Sequence, residues 1–198
     1  MILTVDLAAK FSAALVRDRD SGEVHRQFDS MNKSHFGFAA EIGRIAREDE
    51  IEMVVIEDVP YNPKYTQAMV KPVLKFQGVM IAVLHPVLEK VAFLDPSAWM
   101  RMFPGVQRAP KGLTKAESDK YRIEQARQHA ANLGYEPPDL VQQYIDSLPE
   151  GKKILKKDTA PLEKAMTDYV SAFLMSEFVR SMSPEQFRSL QGVSPAYI

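Results

Sequence analysis

The stretch "EMVVIEDVPY", residues 52–61, reads as a buried strand that ends in acid. Met53 to Ile56 form a continuous apolar run, as a strand covered on both faces requires. Glu57 and Asp58 follow at once, and Pro60 stops the element. Just upstream, Ser34 is placed to cap a helix whose apolar Phe38, Ile42 and Ile45 lie one turn apart, and the polar "REDE" closes it. A helix so close before a strand predicts a crossover that lays the 53–57 strand parallel to the first strand of the chain.

That first strand is "ILTVD", ending at Asp6. "FSAALV", the turn signal Asp20-Ser21-Gly22 and "EVHRQF" extend it into an antiparallel meander. Toward the C-terminus, residues 64–88 carry enough apolar side chains for a long helix that Pro72 should kink or interrupt. "KVAFLD" supplies another strand, and Pro96-Ser97 opens a short helix. The pattern predicts an α/β protein built on a mixed five-stranded sheet flanked by helices. Residues 104–157 differ in texture. Loop-like "PGVQRAPKGLT" leads into the helix "KAESDKYRIEQARQHAANLG", and "YEPPDL" breaks the chain again. The expected organisation is one domain over 1–198, with 104–157 inserted before a last helix that begins near Pro161. A short tail helix in "SPEQFRSL" follows.

Composition narrows the chemistry. The 198 residues contain no cysteine, so neither a disulfide framework nor a thiolate metal site exists. His25, His35, His85 and His129 show no ligand spacing. Any metal must therefore be held by oxygen or histidine. A net charge of -1 exerts no global pull on nucleic acid, but residues 104–157 hold ten basic side chains against seven acidic ones. No segment approaches the roughly 20 apolar residues that span a bilayer, and the N-terminus lacks the pattern of a secretion signal. The expectation is a soluble protein that is not secreted and has no membrane partner.

Parallel neighbouring strands bring Asp6 and Glu57 side by side, about 4.8 Å apart. Two ionised carboxylates at about 4 Å repel by roughly 4 kcal/mol at an effective dielectric of 20, so the pair requires a cation or a shared proton. On the last helix Asp168 interrupts an apolar run that includes Ala165, Tyr169, Val170 and Ala172, which draws it toward the core. Three hard oxygen ligands favour Mg²⁺ or Mn²⁺, ions that promote phosphodiester hydrolysis.

In order, "ILTVD", "VVIEDVPY", "VLKFQGVMIAVLHPVLEKVAFLDPSAWMRMFPG" and "TDYVSAFLM" resemble the RuvC-like Holliday junction resolvases of the ribonuclease H-like superfamily, above all the divergent versions carried by bacteriophages. The resemblance covers roughly residues 1–105 and 155–178. It implies a metal-dependent endonuclease that resolves four-way or otherwise branched DNA. Asp6, Glu57 and Asp168 would be catalytic and would hold two Mg²⁺ or Mn²⁺ ions. It also implies a homodimer, for which the helix at 64–88 is the candidate interface, and work in a bacterial host cytoplasm. The family commonly carries two acids three residues apart on its last helix. Here Ser171 stands three residues after Asp168, and Ala165 stands three before it; Ser171 and Asp158 are the candidates for the fourth position. Tyr61, Lys111, Lys152, Lys153, Lys156 and Lys157 are the candidate DNA contacts. A nuclease for flaps, forks or RNA–DNA hybrids, and a junction-binding protein that does not cut, are the alternatives.

Overall fold

The computed structural model describes residues 1–8, 11–48, 50–59, 67–149, 152 and 154–190. Its five strands are β1 (Ile2–Asp6), β2 (Ala13–Arg17), β3 (Val24–Asp29), β4 (Met53–Glu57) and β5 (Val91–Leu94), in the sheet order β3-β2-β1-β4-β5. β1, β2 and β3 form the expected antiparallel meander, while β4 and β5 run parallel to β1. This is the mixed α/β sheet predicted from sequence. Asp18 shapes the β2–β3 turn, its Oδ1 accepting from the backbone N–H of Asp20 at 2.9 Å and of Ser21 at 2.7 Å. Gly22 completes that turn at φ 79°, a conformation that side chains rarely adopt.

Helices cover both faces. α1 (His35–Ala46) and α2 (Gln67–Leu84) lie on one face, over Leu3, Val5, Val54 and Ile56. The Ser34 hydroxyl accepts from the Gly37 N–H at 3.0 Å, so it caps α1 as expected. On the other face α6 (Lys156–Arg180) and α3 (Pro96–Met100) cover Ile2, Met53, Val55, Ala92 and Leu94, with Trp99 and Phe173 in the contact. The 104–157 segment contributes α4 (Lys115–Asn132) and α5 (Leu140–Asp146), both packed on α6. α7 (Pro184–Leu190) ends the described chain.

Two proline expectations need correction. α2 is unbroken across Pro72, and the interruption falls at the 3-10 turn His85–Lys90. Pro72 lies in the second turn, where it removes one helical hydrogen bond, while buried Phe76, Met80 and Leu84 hold the helix on the sheet. The last helix begins at Lys156, five residues before Pro161. Asp158 makes the extra turn possible by accepting from the Leu155 backbone N–H at 3.2 Å.

α6 is fixed to the sheet by polar contacts within an apolar seam. The buried Thr4 hydroxyl donates to the Ala172 carbonyl at 3.0 Å. Arg17, 4% exposed, donates to the Gly22 carbonyl and to Ser176, pairs with Glu177 at 2.7 Å and lies over the Phe173 ring. Removing one partner of such a network leaves the other buried and unmatched. Arg17→Met is expected to lower unfolding free energy by about 3 kcal/mol in urea denaturation, whereas exposed Arg26→Met changes it by less than about 0.5 kcal/mol.

Candidate active site

Strand alternation resolves the paired acids at the end of β4. Ile2, Thr4 and Asp6 share the α6 face of β1, and Met53, Val55 and Glu57 share the same face of β4. The β1–β4 register runs to Val5 opposite Ile56, so Asp6 and Glu57 are next in line. Asp58 turns to the opposite face, where its Oδ1 accepts from the Gln77 side-chain amide and the Val59 N–H, each at 2.8 Å. One acid of the pair joins the rim; the other ties β4 to α2.

α6 brings Asp168 to that rim. Asp168 is 7% exposed and Asp6 6%, and Glu57 is half-buried. Burial holds the Asp6 carboxyl well above the usual carboxylate range, with the Glu57 charge adding to the effect. Burial also raises Glu57, and the Asp168 charge contributes. Asp168 is pushed up to about 8, first by burial and then by the Asp6 charge. The two strand-end carboxyls stand close enough to share a proton, which favours a protonated Asp6 beside an ionised Glu57.

Three further side chains complete the cluster, and two of them escaped the sequence reading. Lys164 Nζ lies 3.6 Å from Asp168 Oδ2, one helical turn away, and its charge lowers both Asp168 and Asp6. The spacing "KAMTD" could have revealed it, since residues four apart share a helix face. The buried Trp99 indole N–H makes no well-formed hydrogen bond, yet it approaches Glu57 closely enough to favour the carboxylate. The Ser171 hydroxyl lies close enough to Asp6 to favour its carboxylate form. Ser171 therefore stands beside the acids. Asp158 does not, because it caps the start of α6, and ten residues of helix separate it from Asp168 by about 15 Å.

Among the described residues, no three Asp, Glu or His side chains form a ready chelate. The donor set nevertheless suits a hard cation. Asp168 Oδ2 is buried without a hydrogen bond, and the carboxyls carry mutual repulsion that a divalent ion would cancel. Of the candidate DNA contacts, Lys111, Lys152, Lys156 and Lys157 are exposed. Tyr61 and Lys153 lie outside the described residues. No described helix is long and apolar enough to cross a membrane.

No protein-family model and no curated protein sequence matches the chain. Among solved structures, a Thermus thermophilus RuvC structure aligns with 12% identity and a TM-score of 0.46, over 89% of this chain and 93% of that one. A T. thermophilus RuvC in complex with a Holliday junction substrate aligns with 9% identity and a TM-score of 0.44, over 67% of this chain and 95% of that one.

A raised carboxyl pKa makes stability depend on pH. Asp168 binds its proton more tightly folded, at about 8, than at the ordinary 3.8. Its contribution to stability is complete below the lower value, declines as pH rises, and is lost above the higher one. Asp168→Asn is expected to stabilise the metal-free protein by about 1 to 3 kcal/mol at about pH 9 and to change little at about pH 4. Thermal unfolding in a chelator across that range is the check, and an equal effect at both ends would contradict it.

Proposed function

We propose that the chain is a divalent-metal-dependent endonuclease for branched DNA, a Holliday junction resolvase of the RuvC-like kind in its bacteriophage form. The gathering of Asp6, Glu57 and Asp168 at one sheet rim, each with a raised carboxyl pKa, carries this reading. Exposed basic side chains support a polyanionic substrate: Lys164 is 63% exposed at the acids themselves, and Lys152, Lys156 and Lys157 are exposed before and at the far, N-terminal end of α6.

Bound Mg²⁺ or Mn²⁺, as two ions held by Asp6, Glu57 and Asp168, supplies an activated water and charge stabilisation for phosphodiester hydrolysis. The chain's own groups prepare that chemistry. The Ser171 hydroxyl beside Asp6 favours the carboxylate form that a cation needs. Glu57, whose carboxyl pKa is raised by burial, can take a proton from an attacking water. Lys164 reaches over Asp168 on a flexible stem and can hold a phosphate oxygen at the cut. Trp99 and the surrounding apolar seam limit water at the sheet end, which strengthens each of these interactions. A single domain over 1–198 would carry the site. A homodimer formed along α2 would offer two sites to the two equivalent strands of a junction.

A second reading is a junction-binding protein that does not cut. Ser171 favours it, because a hydroxyl stands where a fourth carboxylate would strengthen cation binding. Cleavage of a mobile four-way junction in Mg²⁺, alongside flaps, forks and RNA–DNA hybrids, separates the readings. The wild-type protein is expected to cut the junction, and Asp6→Asn to be slower by about 10³-fold or more, a loss typical of a residue needed only in the transition state. Tight junction binding without cleavage, reversed by Ser171→Asp, would establish the second reading instead.

A further inference from the structure

Beside the acids, α3, α4 and α6 leave a cavity of about 340 Å³ whose lining includes Trp99, Met100, Ile123, Ala126 and Ser171. Arg122 and Asp119, ion-paired and each more than two-fifths exposed, stand at its solvent side. The cavity borders the candidate active site, because Ser171 lines it and the Ser171 hydroxyl lies near Asp6.

The lining restricts what can enter. Met100, Ile123, Ala126 and the Trp99 ring are apolar, and they reject an ionised phosphate, which would lose its hydration there. A flat group with an apolar face and polar edges fits, and the volume lies in the range of small-molecule sites. Arg122 offers donors and Asp119 acceptors at the height where such an edge would emerge. A phosphodiester held at Asp6 carries a nucleotide on each side, so a base is the nearest group able to reach the cavity. At a branch point bases are already partly unstacked, and turning one out of the stack costs least there.

We infer that this cavity is a nucleobase pocket that receives the base flanking the scissile phosphate and sets the sequence preference of cutting, an inference that rests on the proposed nuclease reading. The 104–157 segment then has a definite role, since α4 supplies Ile123, Ala126 and the Arg122–Asp119 pair. Arg122 and Asp119 discriminate between base edges, and the apolar walls hold whichever base is admitted.

The experiment has two arms, both using the full chain with Ile123→Trp to fill the cavity and Ile123→Val as the conservative control. Ile123 is 38% exposed, so both variants are expected to fold, and thermal melting verifies this. In the first arm, metal-free protein binds four-way junctions carrying 2-aminopurine at successive positions around the branch. Emission is expected to change at one position with wild type and Ile123→Val, and at none with Ile123→Trp. In the second arm, junctions varied at that position are cut in Mg²⁺. A preference of about 10-fold or more between bases should fall below about 2-fold in Ile123→Trp. Unchanged emission and unchanged preference in Ile123→Trp would overturn the pocket, as would emission that responds at no position in the wild type. Absence of cutting by the wild type would refute the nuclease reading alone, and the emission arm would still decide the pocket.

Discussion

Where α6 crosses β1 determines what stands at the rim of the sheet. The hydrogen bond from the buried Thr4 hydroxyl to the Ala172 carbonyl fixes both the height and the rotation of the helix. Each residue advances an α-helix by about 1.5 Å and turns it by about 100°, so a slip of one residue would swing Asp168 away from Asp6. Arg17 secures the crossing from the hairpin side through Ser176, Glu177 and Phe173. The position of Asp168 is therefore set by contacts four to nine residues further along the helix, deep in the apolar seam.

That placement creates an electrostatic conflict which the chain relieves only in part. Asp6, Glu57 and Asp168 all have raised carboxyl pKa values, chiefly through burial. Lys164, Ser171 and the Trp99 N–H each favour an ionised form, and yet Asp168 Oδ2 keeps no hydrogen bond. A purely structural role would be better served by amides or apolar groups. Acids that repel one another at the end of a buried sheet are what a cation site needs. Asp58 shows the contrast, because on the opposite face its carboxylate is matched by Gln77 and a backbone N–H.

Much of this arrangement is legible in the sequence because it follows from periodicity. The apolar runs ending at Asp6 and Glu57, the Ser34 cap and the Asp20-Ser21-Gly22 turn are local signals, and the sheet follows from them. Pro161 and Pro72 misled because tertiary packing and a side-chain cap decide whether a helix extends through a proline. The separate fates of Glu57 and Asp58 follow from strand alternation once a helix is known to cover each face. Asp158, a candidate for the fourth position, proves to cap α6, because the helix starts five residues earlier than Pro161 suggests. The approach of Trp99 to Glu57 was not legible, since no local pattern links residues of β4 and α3. The cavity beside Ser171 had no sequence signal, because three helices from separate parts of the chain enclose it.

The central claim is that Asp6, Glu57 and Asp168 close around a common divalent cation. Anomalous diffraction from crystals soaked in Mn²⁺ addresses it directly. A peak within bonding distance of carboxylate oxygens from all three residues is the predicted result. A fully loaded crystal with its Mn²⁺ bound elsewhere, and with Asp168 still held by Lys164 alone, would contradict it.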